Sequence, residues 1–195
     1  MKKFKYSNSN KRYHTLDYFY KNKFNSKVCK VSLNAGFSCP HLDSGGCIYC
    51  SKTGSGEFGG NVNSDLITQF NTIKNMLSKK WKNVKYIGYF QARTNTLAPV
   101  SVLKEKYETI LNLDNVIGLS IATRPDSISV ECLDYLEELN KKTYLTVELG
   151  LQTIHEETSI LINRRHSLEC FNDMVKKLRE RKIDVVVHII NGLPY

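Results

Sequence analysis

The sequence has no apolar run of membrane-spanning length; the longest is VVVHII at residues 185–190. It also lacks the apolar core of a secretory signal, and Cys29, Cys132 and Cys170 are scattered singly rather than paired. These absences disfavour a membrane protein and a disulfide framework. We therefore expect a soluble, cytoplasmic protein with reduced thiols, and 195 residues suit one substantial domain.

Acidic residues are almost absent from the first 30 residues, which hold nine Lys or Arg and a single acid, Asp17. This arm therefore carries +8 of the net charge of +9. It also holds seven aromatic residues: Phe4, Tyr6, Tyr13, Tyr18, Phe19, Tyr20 and Phe24. Positive charge among rings that can stack is typical of nucleic-acid binding. A helix whose rings pack on the body of the protein explains the pattern equally well, so both interpretations stay open.

Apolar strands alternate with amphipathic helices along the rest of the chain. The pattern predicts strands near residues 28–34, 86–91, 116–122, 144–149 and 184–190. It predicts helices near residues 14–24, 65–81, 100–113 and 130–140, a short one after Thr153 and another after Ser167, with Ser64 and Ser167 as helix caps. This order favours an α/β fold, an open partial barrel of about five parallel strands with outer helices. Polar loops follow the strands at one end, where such folds place their chemistry.

Three cysteines, Cys39, Cys47 and Cys50, fall within twelve residues of a glycine-containing loop after the first strand. Thiolates at this density are typical of soft-metal or iron–sulfur sites. A structural zinc site normally has four protein ligands, whereas three leave a coordination position open for a substrate or cofactor. Spacing alone leaves the metal undecided, because zinc held by the three cysteines and His41 fits it too.

Six motifs in order resemble the radical S-adenosylmethionine (SAM) superfamily, in the branch of YhcC/YtqA-type proteins near the Elongator-catalytic-subunit-like enzymes that modify tRNA. They are AGFSCP…GGCIYC, YFQARTNT, ATRPDS, VELGLQT, INRRHS and IINGLP, and the resemblance runs from about residue 13 to the end. It implies a TIM-like (βα) core over residues 28–195, preceded by the basic aromatic arm and helix of residues 1–27. Relatives continue to a sixth strand and a carboxy-terminal region, so we expect an incomplete core with one unpaired barrel edge.

The resemblance also implies the cofactors. A 4Fe–4S cluster would be bound by Cys39, Cys47 and Cys50, with SAM on the fourth iron. An electron from a donor such as flavodoxin or ferredoxin would then cleave SAM to a 5′-deoxyadenosyl radical. The loop CPHLDSGGC departs from its relatives, because it is shorter and His41 and Leu42 replace Asn and Arg.

Further site residues follow from the same resemblance. Tyr49 would lie against the adenine, Gln152 would contact the ribose or methionine, and Arg164 would pair with the methionine carboxylate. Asn95 is a fourth candidate for cofactor binding, and Thr94 lies beside it. Gln91, Glu148 and His188 are candidates for a role in catalysis. Structural alternatives are a buried acid neutralised by an arginine at Glu148, internal packing at His188, an Arg124–Asp126 ion pair that braces a loop, and a surface charge at Arg165.

The resemblance suggests a radical SAM enzyme that acts on tRNA, with a wobble-uridine side chain as one candidate target. Two alternatives stay open. One is a zinc-stabilised RNA-binding module without redox chemistry. The other is a radical enzyme that acts on a small metabolite or a protein side chain, in which case the basic arm serves packing or a partner contact.

Overall fold

The computed structural model describes residues 4–7 and 9–194. In that part of the chain the regular elements are, in order, α1 (Leu16–Phe24), β1 (Val28–Leu33), α2 (Leu66–Lys80), β2 (Lys85–Phe90), α3 (Val100–Leu111), β3 (Val116–Thr123), a 3-10 turn (Pro125–Ser127), α4 (Val130–Lys142), β4 (Tyr144–Gln152), α5 (Glu156–Leu161), α6 (Leu168–Glu180) and β5 (Asp184–Ile189). None of these helices is long and apolar enough to cross a membrane.

The five strands form one sheet in the order β1-β2-β3-β4-β5, and every neighbouring pair is parallel. Helical chain between each strand and the next returns the chain to the same end of the sheet, as a parallel arrangement requires. This confirms the predicted α/β fold with parallel strands and outer helices.

The two faces of the sheet differ because strand side chains alternate with a period of two. On β4, Leu145, Val147 and Leu149 are at most 1% exposed and join the apolar core that the outer helices cover. Each such side chain stabilises the fold by about 1.5–3 kcal/mol. Thr146 and Glu148 alternate with them and face the inside of the curved sheet, which is therefore polar.

Helix α1 covers the amino ends of the strands. The Thr15 hydroxyl caps it by accepting a hydrogen bond from the Tyr18 amide at 3.2 Å. Tyr20 is 3% exposed and packs on Val28 and Ile87. The Phe24 ring lies 5.1 Å from that of Tyr144, the first residue of β4. The helix thereby closes the floor of the space inside the sheet.

Six of the seven aromatic residues of the basic arm divide into two groups, and the seventh, Tyr18, is half-buried. Phe19, Tyr20 and Phe24 belong to the floor cluster, so packing on the body explains them. Phe4, Tyr6 and Tyr13 are between 39% and 58% exposed. Packing therefore accounts for part of the aromatic pattern, and three exposed rings remain beside the positive charges.

Strand β5 is an outer strand of the sheet and pairs only with β4 among the described residues. Its side chains are exposed or half-buried, with Val187 43% and Ile189 61% exposed. The other outer strand, β1, is more buried, because α2 packs against it.

The floor gives a testable prediction. We expect Tyr20→Ala to lower the free energy of unfolding by about 3 kcal/mol, as loss of a large buried aromatic side chain does. The matched control is Tyr13→Ala, which removes a ring that is 58% exposed and should change stability little. Urea denaturation of the two variants measures the difference, and equal stabilities would show that α1 is not part of the core.

Candidate active site and cofactor cavity

A cavity of about 660 Å³ opens at the carboxyl ends of the strands. Cys39, Cys47 and Cys50 all contribute to its wall. Its other lining residues come from the cysteine loop, from the loops after β2 and β3, from the segment before α6 and from the inner face of the sheet. They include Tyr49, Tyr89, Gln91, Thr94, Arg124, Glu148, Gly150, Gln152, His166 and His188. One space thus brings together the thiols and most of the residues predicted to serve the site.

The cysteine loop is held by main-chain hydrogen bonds. The Gly46 amide donates to the His41 carbonyl at 2.8 Å, and the Cys50 amide donates to the Cys47 carbonyl at 3.0 Å. Gly45 and Gly46 have φ values of +88° and +66°, in the left-handed region that glycine adopts without strain. The glycines therefore let the loop double back and bring Cys47 and Cys50 towards Cys39.

The segment 162–166 anchors this loop to the rest of the protein. The Ile162 carbonyl accepts from the Ile48 amide at 3.1 Å. The Asn163 side chain donates to the Gly46 carbonyl, and the Arg165 guanidinium donates to the Ser44 carbonyl at 3.3 Å. Arg165 was predicted to be a surface charge; it is exposed, and it also ties down the loop.

Arg164 is buried, and its contacts in the structure are with main-chain carbonyls. The side chain is 1% exposed, and its guanidinium donates to the carbonyls of Leu151, Thr153 and His166 at 2.6–3.1 Å. It does not line the cavity. These contacts, made by Nε and Nη1, make Arg164 a strut between β4 and the anchoring segment.

Asn95 is also placed behind the cavity rather than in its wall. It is 0% exposed, and its amide nitrogen donates to the carbonyls of Phe90 and Ala122 at 3.1 and 2.8 Å. These bonds join the ends of β2 and β3. Asn95 therefore positions the loop that carries Thr94, which does line the cavity.

The Arg124–Asp126 ion pair is formed as the sequence suggested, with two hydrogen bonds of 2.8 and 2.9 Å. Arg124 also donates to the Arg164 carbonyl at 2.9 Å and lies 4.0 Å from the Cys47 sulfur. The pair thus braces the loop after β3 and places a cation beside one thiol.

The remaining predicted cofactor residues lie in the cavity wall. Tyr49 stands between the two cysteines of the CIYC motif, and Gln152 ends β4 with a φ of +64°. A non-glycine residue in that region is strained, and such strain is concentrated at functional sites. Gln91 lines the same wall and donates to the Ser55 carbonyl at 3.0 Å.

Glu148 is the most deeply buried acid of the cavity, with 2% of its side chain exposed. Its carboxylate accepts hydrogen bonds from Lys30, from Ser120 and, at 2.7 Å, from the His188 Nε2. Burial alone would raise the pKa of Glu148, but the His188 bond and the Lys30 ammonium lower it from its usual 4.5 to about 2. The buried acid is neutralised as expected, though by a lysine and not an arginine.

The chemistry of the thiols fits an iron–sulfur centre. Burial raises the pKa of the Cys50 thiol, and the nearby Cys47 and Cys39 raise it further because adjacent thiolates repel one another. Bound iron cations would relieve that repulsion. In residues 4–7 and 9–194 no three His, Cys, Asp or Glu side chains converge as ligands of a single metal ion.

His41, the fourth ligand of the zinc alternative, lies next to this loop. Its Nε2 is 3.8 Å from an Asp126 oxygen and makes no hydrogen bond within the described part of the chain. Burial and the Arg124 cation lower the pKa of His41. A neutral imidazole can bind a metal, so His41 has to be tested directly.

Comparison with known proteins decides the family. Residues 38–195 match the Radical SAM superfamily. This chain belongs to that superfamily. YtqA of Bacillus subtilis is 58% identical over 195 residues, covering 98% of this chain, and YhcC of Escherichia coli K12 is 35% identical over 181 residues, covering 88%. The chain spans 61% of the length of YtqA and 56% of the length of YhcC.

A solved structure shares the fold. The archaeal Elp3 of Methanocaldococcus infernus, with an amino-terminal deletion, aligns with a TM-score of 0.60 at 21% identity, over 87% of this chain and 39% of that one. Radical SAM enzymes use a 4Fe–4S cluster and SAM, and the three cysteines of the cavity fit that cofactor pair.

Sequence reasoning missed three polar residues of the sheet, Lys30, Tyr89 and Ser120, of which Tyr89 lines the cavity. Each lies on the inner face of a different strand, where its neighbours in sequence are apolar and face the helices. The signal was the polar residue between apolar ones in CKV, GYF and LSI. This signal was weak, because the three residues can be seen to share one face of the sheet only after the five strands are aligned in register.

The Glu148 environment predicts a pH dependence of stability. The folded pKa is depressed, so the contribution is fully present above pH 4.5 and is lost as the pH falls towards 2. We expect Glu148→Gln to lower the free energy of unfolding by about 3 kcal/mol at pH 7. The difference in stability between the variant and the unmodified chain should become smaller as the pH falls below 4.5. Urea denaturation at pH 7 and in acid measures this, with the exposed Glu157→Gln as control. An unchanged stability at pH 7 would contradict it.

Proposed function

We propose that this protein is a radical SAM enzyme that cleaves SAM reductively and uses the resulting radical on RNA, with tRNA as the substrate class. The observation that supports the first part is the convergence of Cys39, Cys47 and Cys50 on one cavity at the carboxyl ends of the strands. The RNA part is supported by the resemblance to tRNA-modifying relatives and by the charge of the arm.

Different residues of the chain would bind the cluster and SAM. The three thiolates would bind the cluster, and Tyr49 and Gln152, which line the cavity wall, would contact SAM. When bound, the cluster supplies the electron that turns SAM into a source of a carbon radical. Arg164 and Asn95 act indirectly, because they fix the segments that carry the cysteine loop and Thr94.

The fold also protects such a reactive species. The floor formed by α1 is sealed by Tyr20, so the cavity opens at the carboxyl ends of the strands. A closed floor limits the access of water and of stray hydrogen donors to the inside of the sheet. A small-metabolite or protein substrate would benefit from the same enclosure, so the enclosure does not choose among the substrates.

The amino-terminal arm is what favours RNA. The phosphate backbone attracts clustered Lys and Arg, and bases stack on exposed aromatic rings. The exposed Tyr6 ring already has the Lys5 ammonium 5.2 Å from its centre. The cations and aromatic rings near the start of the chain thus give it the composition of a segment that binds single-stranded nucleic acid.

The cluster gives a direct prediction. After anaerobic reconstitution with iron and sulfide, we expect a brown protein that forms 5′-deoxyadenosine from SAM and dithionite. Serine at Cys39, Cys47 or Cys50 should remove the cluster, because each thiolate binds a separate iron. Cys170→Ser is the matched control and should keep it, since Cys170 is the N3 residue of helix α6, outside the cavity.

His41→Ala separates the cluster from zinc. A cluster on three cysteines survives this change, whereas a zinc ion held by the cysteines and His41 is weakened or lost. Colourless protein with one zinc per chain, sensitive to His41→Ala, would overturn the proposal. Metal analysis and the visible absorption spectrum provide the measurement.

The RNA part has its own test. We expect tRNA affinity to fall steeply with salt, and removal of residues 1–12, which carry five Lys or Arg, to weaken binding and flatten the salt dependence. The control replaces those five residues by Gln in the full chain and should behave like the deletion. Binding that is absent or independent of salt would contradict it. A comparison of modified nucleosides in tRNA between a strain lacking the gene and its parent separates a tRNA substrate from a small-metabolite or protein substrate.

A further inference from the structure

The inner face of the sheet carries a polar cluster with one member from each strand: Lys30 on β1, Tyr89 on β2, Ser120 on β3, Glu148 on β4 and His188 on β5. Lys30 lies on one side of the Glu148 carboxylate and His188 on the other. The Lys30 ammonium also lies 4.3 Å from the centre of the Tyr89 ring. Three of the five, Tyr89, Glu148 and His188, line the cavity that also holds the cysteines.

The hydrogen-bond geometry fixes the state of the imidazole. The Glu148 carboxylate accepts from Lys30 and Ser120 on one oxygen, and its other oxygen lies 2.7 Å from the His188 Nε2. An ionised carboxylate can only accept, so Nε2 carries the proton. In the neutral ring Nδ1 is then an unprotonated acceptor, and it makes no hydrogen bond to any residue in 4–7 or 9–194.

The space around His188 suits a ligand. Its register partner on β4 is Gly150, which contributes no side chain to the cavity wall. A Cβ at that position would lie 2.6 Å from the Gln152 amide nitrogen, so the glycine leaves room between Glu148 and Gln152. His188 itself has 44% of its side chain exposed although its ring is anchored on a buried acid.

We propose that Glu148 and His188 form a dyad in which Glu148 fixes the imidazole tautomer and His188 Nδ1 accepts a hydrogen bond from an N–H or O–H group of the substrate. Lys30 balances the carboxylate, so the cluster receives an uncharged donor group and not an anion. Glu148 and Lys30 are positioning residues, and His188 is the contact. The proposal deepens the function proposed above, because it places the reacting part of the substrate beside β5.

The tautomer is measurable without cofactor or substrate. In the chain labelled with ¹⁵N-histidine, long-range ¹H–¹⁵N spectra at pH 8 should show His188 as the Nε2–H tautomer, with its signals identified by their loss in His188→Gln. Glu148→Gln should turn this into a mixture of tautomers. Asp184→Asn, which removes a carboxylate from the same strand, should leave it unchanged. An Nδ1–H tautomer in the unmodified chain overturns the dyad even if Glu148→Gln does not fold.

A pair of variants then separates contact from packing. His188→Gln keeps an amide that can donate to Glu148 but has no atom at Nδ1, whereas His188→Asn has an oxygen near Nδ1 and gives up the Glu148 bond. The assay uses reconstituted enzyme and unfractionated tRNA and measures the product that forms only when tRNA is present. We expect His188→Gln to lower the amount of this RNA-dependent product about tenfold, as loss of one hydrogen bond does. His188→Asn should recover part of it. Asp184→Asn, which changes a residue outside the cavity lining, is the control for activity and should keep the RNA-dependent product.

Two results would tell the proposals apart. Full RNA-dependent activity in His188→Gln would overturn the substrate contact and leave His188 as a partner of Glu148 only. No response of the unmodified enzyme to tRNA would overturn the RNA substrate proposed above, whereas the tautomer would still decide the dyad.

Discussion

An ion pair across the inside of the sheet joins its first strand to its fourth. Lys30 and Glu148 lie 118 residues apart in the chain, on strands that are not neighbours, so their contact spans the interior. Two charges this buried are stable only together, because either alone would lose its hydration without compensation. The pair therefore favours a curved sheet over a flat one, and that curvature creates the cavity.

The curved sheet holds its two ends in different ways. At the amino end, α1 supplies aromatic packing that is apolar and static, centred on Tyr20. At the carboxyl end, the cysteine loop rests on hydrogen bonds from the segment 162–166, with Arg164 as the strut. The packed floor stabilises the fold, and the hydrogen-bonded loops at the carboxyl end can adapt to a ligand. A (βα) barrel is expected to separate stability and binding in this way.

Much of this could be predicted from the sequence, and the reason is locality. Strands, helices and the cysteine loop depend on side chains within a few residues of one another. The predicted cap of α2 was Ser64 and the observed cap is Asp65, so the error at this helix end is a single residue. The Lys30 contact depends on a pairing over 118 residues, and the burial of Arg164 depends on how its segment folds back onto the end of β4. An arginine in a motif looks the same whether its partner is a carboxylate or three carbonyls, and only the fold distinguishes them.

The outer edge of β5 has a thermodynamic consequence of its own. Val187 and Ile189 leave apolar surface in water next to main-chain groups that no described strand satisfies. Anything that covers this edge, whether extended backbone or another molecule, binds the folded state and not the unfolded one. By mass action, whatever covers this edge adds to the free energy of unfolding of the chain. The stability of the chain with β5 uncovered is therefore the baseline to which any assembly adds.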